Sequence, residues 1–263
     1  MLHCLLNDGA TTAYRVVSSD GRIIRNFTVP GKHAWFGLRP SGEPIFVNWK
    51  AAAGHSFAEH NAQGATLRDI QDRNGVVGAI AHEVCQDMLV TLRHDFSLDA
   101  YPLGERNGSW RRIATDVTSY RGTRLYTSSS PDARVLALDG TAAVGASVNV
   151  RTGQSDTIRF NSPEIEAAKK YYGEKASSLA DGQQRHFIIV PAMAVAPDGS
   201  LWAMVLPSDA KIGLNVVGFD KAGKHLTSKL CEFQLGKKPT CIVSMDRTLY
   251  VGFSDGDVLA YSV

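Results

Sequence analysis

Short runs of hydrophobic residues, separated by turn-forming residues, recur along the chain. The clearest series lies between residues 192 and 234 and reads AMAVAPD, SLWAMVLP, GLNVVGFD and HLTSKLCEFQ. Alternating or continuous apolar runs of about four to eight residues are typical of β-strands, and the period of an amphipathic helix is nearly absent. The pattern predicts an all-β protein with four antiparallel strands in this region.

The same four-strand arrangement repeats along the sequence. Gly and Asp, which favour tight turns, mark the expected turns between strands. A unit of about 40 residues with four short strands is characteristic of a propeller blade. We predict a single β-propeller domain over residues 1–263 with about six four-stranded blades, five or seven being the alternatives. First-to-second turns are predicted at 40–42, 86–87, 121–122, 198–199 and 245–247, and third-to-fourth turns at 20–21, 61–64, 104–108, 139–140 and 221–223.

One segment, near residues 162–178, has a helical pattern instead. Ser162 is a favourable N-cap residue, Pro163 suits the first helical position, and apolar side chains recur on one face. We predict a helical insertion in a blade loop. The alternative is a degenerate blade whose late turn lies at residues 181–182.

Composition and charge narrow the classes of protein. The chain has 263 residues, of which 44% are hydrophobic and 21% charged, as in soluble globular proteins. The formal net charge of +2, with scattered basic residues, argues against nucleic acid as a partner. No apolar run reaches the ~18 to 20 residues that cross a bilayer, so a membrane partner is not expected. Because no signal peptide is visible, we expect a cytoplasmic protein, or a periplasmic or secreted one if a signal has been removed.

The four cysteines show no metal-binding spacing. Cys4, Cys85, Cys231 and Cys241 form no CxxC pair, and none has a His at zinc-finger distance. We expect four unpaired, buried thiols and no metal site. Cys231 and Cys241 lie in successive predicted strands, which leaves a disulfide open if the protein is exported.

Several strand-and-turn strings resemble a known family. The strings AVAPDGSLWAMV, VVGFDKAGKHLTSKLCEF, VVSSDGRIIRNFTV and LYVGFSDGDVLAYSV are similar to the blades of NHL-repeat and gluconolactonase-like six-bladed β-propellers. The resemblance implies a propeller fold. It implies no single activity, because this architecture hosts lactonases, lyases and binding proteins. The EGP segment typical of the metal-dependent lactonases does not occur in the sequence.

Candidate site residues lie in two sets of loops that a propeller brings to one face. These are the loops that lead into the first strand of each blade and the loops that join the second and third strands. Imidazoles there can bind a metal ion or act as general bases, and Trp rings can stack on a sugar or a partner side chain. The candidate binding residues are His33, Trp35, Trp49, His55, His82, His94, Asp95, Arg185 and His186.

The function that these features favour is a non-catalytic recognition scaffold. No nucleophile elbow, phosphate-binding loop or HExxH motif occurs, so no catalytic residues are assigned and no cofactor is expected. The expected partner is a protein or a carbohydrate that binds the loop-lined face. The alternative is a lactonase, lyase or other hydrolase that uses a divalent metal ion or a His pair at the mouth of the propeller channel.

Overall fold

The predicted all-β class is confirmed by the computed structural model. It describes residues 2–7, 11–18, 20–30, 35–50, 54–71, 79–105, 108–127, 132–177, 187–206, 214–232, 239–245 and 248–262. In this part of the chain, 22 strands form six antiparallel sheets of three or four strands, with one helix. Within each sheet the strands follow one another in chain order.

The first three sheets are built from residues 2–114. The first contains β1 (Leu2–Asn7), β2 (Thr11–Val17) and β3 (Ile23–Pro30). The second contains β4 (Phe36–Leu38), β5 (Pro44–Lys50), β6 (Gly54–His60) and β7 (Thr66–Gln71). The third contains β8 (Ala79–Cys85), β9 (Met88–Arg93), β10 (Leu98–Pro102) and β11 (Arg111–Ala114).

The helix and the last three sheets follow. The fourth sheet contains β12 (Arg124–Thr127), β13 (Arg134–Asp139), β14 (Val144–Asn149) and β15 (Ser155–Arg159), and α1 (Pro163–Ser177) comes next. The fifth contains β16 (Met193–Val195), β17 (Leu201–Val205), β18 (Leu214–Phe219) and β19 (His225–Cys231). The sixth contains β20 (Pro239–Met245), β21 (Thr248–Phe253) and β22 (Val258–Ser262).

The fifth sheet shows why the turn residues predict strand order well. Gly199 has a φ of +86°, a left-handed conformation that glycine adopts without steric cost, and its N–H donates to the Ala196 carbonyl at 2.9 Å. The Asp198 carboxylate accepts from the N–H of Ser200 and fixes the same turn. Predicted turns at 20–21, 40–42, 61–64, 86–87, 198–199 and 221–223 likewise join neighbouring strands, whereas part of the predicted turn at 245–247 lies outside the described residues.

The fourth sheet is shifted by one strand from the prediction. The run DVTSY was expected to form its first strand, but Asp116 has a φ of +53° and the run continues without strand pairing. The first strand is β12, so the turn at 139–140 joins the second and third strands, not the third and fourth. The same shift moves Asp132 from an expected second-to-third loop to the loop before β13.

The predicted helical insertion is confirmed. The helix follows the last strand of the fourth sheet, and the N–H of Ile165 donates to the Ser162 hydroxyl at 3.2 Å, which is the predicted N-cap. Ile165 and Ala168 are buried in the hydrophobic core between the fourth and fifth sheets. In the part of the chain that is described, no helix is long and apolar enough to span a bilayer.

Contacts divide the chain into two compact units. Unit 1 comprises Met1–Ala79, Gln86–Leu89 and Tyr101–Trp110, and unit 2 comprises Ile80–Cys85, Val90–Ala100 and Arg111–Val263. Unit 1 has an aromatic core, in which Tyr14 meets Phe46 edge to face with ring centroids 5.6 Å apart. In unit 2, one core fills the space between the fourth and fifth sheets and another that between the fifth and sixth. The prediction of a single domain over residues 1–263 stays a prediction.

Three cysteines have described side chains, and all three are free thiols. Cys85 and Cys231 are buried as expected, whereas Cys241 is exposed. The expectation of four buried thiols is therefore wrong for Cys241. The open alternative of a disulfide between Cys231 and Cys241 is not realised in the structure.

Candidate functional site

Two predicted site residues lie in the turn between β9 and β10. His94 and Asp95 are both exposed there, at the predicted second-to-third position of the third sheet. The Asp95 carboxylate accepts from the Ser97 hydroxyl at 2.5 Å and pairs with Arg112 at 3.0 Å. The bonds from Ser97, followed by the charge of Arg112, hold the pKa of Asp95 below its usual range. The side chain of Asp95 therefore stabilises the β9–β10 turn and links it to β11 through Arg112.

A buried ion pair lies beneath this turn. Asp99, which is only 1% exposed, accepts from Arg93 Nε at 3.0 Å and from Arg112 Nε at 3.3 Å. A buried carboxylate with two guanidinium partners is electrostatically satisfied. These ion pairs link β9, β10 and β11. The charged side chains around the turn therefore stabilise the sheet through their contacts with one another.

The other described candidates lie in or beside strands instead of long loops. Trp35 precedes β4 and is half-buried, and its carbonyl accepts from the N–H of Val47 at 3.3 Å. Trp49 on β5 and His55 on β6 are partners in the backbone register of these two strands. His82 lies within β8 and is half-buried, so its expected position in a loop before the first strand is wrong.

Three predicted residues, His33, Arg185 and His186, lie outside the described residues. Among the residues with described positions, no group of three or more His, Cys, Asp or Glu side chains is placed to hold a metal ion. The binding roles of the nine candidates stay predictions.

A groove lies between the fourth and fifth sheets of unit 2. It has a volume of about 410 Å³ and adjoins a second cavity of about 380 Å³ that shares Asp132 and Arg134. We call it the inter-sheet groove. Its lining residues come from both sheets and from the turns of the fifth sheet: Tyr126, Asp132, Arg134, Leu136, Ser147, Asp156, Thr157, Ile158, Val195, Asp198, Gly199, Leu201, Lys221 and Ala222.

The groove opens at the end of the sheets opposite to the predicted face. Antiparallel strands place the first-to-second and third-to-fourth turns at one end of a sheet and the second-to-third turn at the other. The groove is bordered by the β16–β17 turn at Asp198 and by the β18–β19 turn at Lys221, which are turns of the first kind. The sequence pattern predicted the binding face at the other end of the sheets, where the second-to-third loops lie.

One wall of the groove is a row of side chains across all four strands of the fourth sheet. The strand register aligns Tyr126 with Leu136, Leu136 with Ser147, and Ser147 with Asp156. Residues aligned in this way point to the same face of a sheet. The row changes from aromatic and aliphatic on the first two strands to hydroxyl and carboxylate on the last two.

Arg134 is fixed on this wall by three contacts. Its Nε donates to the Ser147 hydroxyl at 2.8 Å, and its Nη2 donates to the Ser147 carbonyl at 2.8 Å and to the Asp156 carboxylate. A guanidinium held at two edges loses little further freedom when it binds a ligand.

The opposite wall approaches the fourth sheet closely at Gly223. A Cβ at this position would lie 2.5 Å from Ile158 Cγ2 and 2.9 Å from the Arg159 carbonyl, and the φ of Gly223 is +85°. Only glycine fits both constraints. The β18–β19 turn therefore packs directly against β15 and closes the groove at its outer side.

The helix closes the far end of the same space. Ile165 and Ala168 of the helix are buried there against the fifth sheet, together with Phe160, which precedes the helix. Leu136 and Ile158 belong to this core and also line the groove. The inter-sheet groove is thus the open end of a space whose other end is filled.

Glu83 and Cys85 lie two residues apart on β8, where Glu83 is half-buried and Cys85 is buried. Burial raises the pKa of Glu83 to about 7, although its carboxylate accepts from the N–H of Val84 at 2.9 Å. Burial, reinforced by the charge of Glu83, raises the pKa of Cys85 to about 12. A thiol with such a pKa stays protonated at neutral pH and is a poor nucleophile.

The sequence gives no direct signal for the groove. Its residues are spread between positions 126 and 222, and each is ordinary in its own strand or turn. The alternation of Arg134, Leu136 and Leu138 along one strand marks a common face. It does not show which sheet faces it.

Comparisons with solved structures concern the fold. The structure of U3-55K aligns with a TM-score of 0.58 and 8% identity, over 96% of this chain and 71% of that one. The WD40 repeats of RRP9 align with a TM-score of 0.59 and 9% identity, over 96% and 70%. The β-propeller domain of Cps50 (Swd1) from Myceliophteria thermophila aligns with a TM-score of 0.53 and 11% identity, over 99% and 92%.

These comparisons identify the fold of the chain, but they identify no protein family. No protein-family model and no curated protein matches the chain. The predicted resemblance to NHL-repeat and gluconolactonase-like proteins is confirmed only at the level of the β-propeller fold. Six sheets of three or four antiparallel strands, together with these structural neighbours, show that the chain is a β-propeller.

Proposed function

We propose that this β-propeller is a non-catalytic scaffold that binds a segment of another protein in the inter-sheet groove. The observation that carries the proposal is the groove itself, with an apolar floor, a fixed guanidinium and charged turns at its rim. Concave sites with few placed polar groups are the usual form of binding sites. An NHL-type relationship is compatible with this role, because propellers of that kind include binding proteins.

The groove chemistry favours binding over catalysis. The Ser147 hydroxyl is engaged by Arg134 Nε, and a guanidinium cannot serve as a general base. We propose accordingly that the protein needs no cofactor for this role. No specific observation among the described residues supports the alternative function of a lactonase, lyase or hydrolase.

The same chemistry favours a protein segment over a carbohydrate. Sugar sites typically offer an exposed aromatic face for stacking. Tyr126 is the aromatic residue among the groove residues, and burial raises the pKa of its hydroxyl. The aliphatic floor of Leu136, Ile158 and Leu201 instead suits an apolar side chain of a peptide.

Selection from a displayed library of random 12-residue peptides tests this proposal. We expect peptides that bind the wild-type protein to lose binding to Ala222→Trp, because the indole would fill the groove. Ala142→Trp is the matched control: both alanines are exposed in turns, and the N–H of each donates to an Asp carboxylate. Ala142 lies at the other end of the fourth sheet. Failure to enrich any peptide, or equal binding to Ala222→Trp, would overturn the proposal.

A further inference from the structure

The inter-sheet groove carries more negative than positive groups. Three carboxylates line it, those of Asp132, Asp156 and Asp198, against two cations, Arg134 and Lys221. Arg134 is already paired with Asp156. The groove is therefore net acidic, although the formal net charge of the chain is +2.

Asp198 keeps its charge at neutral pH. Its carboxylate accepts from the Ser200 hydroxyl at 2.7 Å and from the Ser200 N–H at 2.9 Å, and these bonds hold the pKa of Asp198 below its usual range. The side chain is exposed on the rim. Asp198 thus presents a fixed negative charge to whatever enters the groove.

Apolar and charged side chains lie next to one another in the groove. The first two strands of each sheet contribute Tyr126, Leu136, Val195 and Leu201, and the turns between those strands contribute Asp132 and Asp198. Strand β15 contributes both Asp156 and Ile158. An apolar side chain of a partner gains most by contacting the apolar lining residues, because contact there removes water from apolar surface on both partners. A cation gains most near the carboxylates.

We propose that the groove takes an extended protein segment that carries one aliphatic side chain for the Leu136 and Leu201 surface and one Lys or Arg for the rim carboxylates. This inference rests on the proposed function and names the chemistry of the partner. Charge complementarity, with apolar surface next to the carboxylates, is the observation that carries it.

The strand register sets the spacing between the two side chains. Leu136 and Asp156 lie two strands apart in one row, which corresponds to ~9.6 Å. An extended peptide that crosses the strands advances ~3.4 Å per residue, and alternate residues point to the same side. Residues i and i+2 therefore face the wall ~6.8 Å apart, and the long stem of Lys or Arg covers the remainder.

Three labelled heptapeptides test this inference by fluorescence anisotropy. Each has the form Gly-Thr-Leu-Thr-Zaa-Thr-Gly, in which Zaa is Lys, Gln or Glu, and a fourth peptide replaces Leu by Ser as a control for the anchor. We expect the Lys peptide to bind roughly fivefold more tightly than the Glu peptide, with Gln between them. The difference should shrink at high salt. The Ser peptide should bind most weakly.

Asp198→Asn and Asp139→Asn form a matched pair of variants. Both aspartates hold a turn by accepting from the N–H and hydroxyl two residues later, and an Asn oxygen preserves those bonds. Asp198 lies on the groove rim and Asp139 at the other end of the fourth sheet. We expect Asp198→Asn to reduce the Lys-to-Glu preference about twofold and Asp139→Asn to leave it unchanged.

The outcomes separate this inference from the proposed function. Preference for Lys that depends on Asp198 supports both. Binding of the Leu peptides with no preference, or with preference for Glu, overturns the inferred partner chemistry and leaves the binding role of the groove intact. Absence of binding by every Leu peptide also overturns the inference, and the selection with Ala222→Trp then decides the proposed function separately.

Discussion

Replacing Glu83 with Gln should remove a pH dependence of folding stability. The carboxyl group of Glu83 is buried on β8, and its pKa rises from 4.5 to about 7 because burial disfavours the charged form. Since the folded chain binds this proton more tightly than the unfolded chain, the stabilising contribution is fully present below pH 4.5 and is lost as the pH rises through 7.

The expected magnitude follows from the two pKa values. A rise from 4.5 to about 7, at about 1.4 kcal/mol for each tenfold change in proton affinity, corresponds to roughly 3 kcal/mol in the free energy of unfolding. Gln has nearly the shape of the neutral acid, and its oxygen can still accept from the N–H of Val84. The Glu83→Gln variant should therefore gain up to roughly 3 kcal/mol over the wild type between pH 4.5 and 8.

Urea unfolding monitored by circular dichroism at several pH values between about 4.5 and 8 measures this difference. Because other groups titrate over the same range, the quantity to compare is the difference between wild type and variant at each pH. Glu174→Gln, on the exposed surface of α1, is the control and should follow the wild type at every pH. A difference between wild type and Glu83→Gln that does not change with pH would refute the reasoning.

Three further substitutions test the packing. Trp202→Ala should lower the free energy of unfolding by ~3 kcal/mol, because Trp202 packs against the core between the fifth and sixth sheets, and a loss below ~1 kcal/mol in urea titration would contradict that packing. Gly223→Ala should cost at least ~1 kcal/mol more than Gly256→Ala in the same assay, since both have positive φ but only Gly223 meets the adjacent β15. Ser162→Ala should cost ~1 kcal/mol through loss of the helix cap, and unchanged thermal unfolding would show that the cap is dispensable.

The strands and turns of the fifth sheet were predictable because their signals are local. Asp198 and Gly199 form a turn for reasons contained in their own side chains and backbone, and the alternating runs on both sides must then pair. The helix is predictable for the same reason, since Ser162 caps it locally.

Strand order in the fourth sheet was not predictable in this way. Asp and Gly serve every tight turn of an antiparallel sheet equally well, so the pair at 139–140 does not reveal which two strands it joins. The positive φ of Asp116 interrupts the run DVTSY at its first residue, and nothing in that run's pattern signals it. This one-strand shift alone places Asp132 at the opposite end of the sheet.

The groove could not be predicted because it depends on the contact between two sheets. Its volume exists where β18 and β19 approach β15 at Gly223 and leave space beside Leu136 and Ser147. Such contacts join residues far apart in sequence, and the period of a strand describes only which side chains share a face. The ion pair of Arg134 and Asp156 likewise arises only when β13 and β15 flank β14.

A methyl-detected NMR titration with the Leu–Lys heptapeptide tests the binding role of the groove most directly. The account predicts shifts for the methyl groups of Leu136, Ile158 and Leu201, which line the groove, and none for Leu92 and Leu98, which are buried in the third sheet. Shifts confined to the third sheet, or no shift in the groove at saturating peptide, would contradict it.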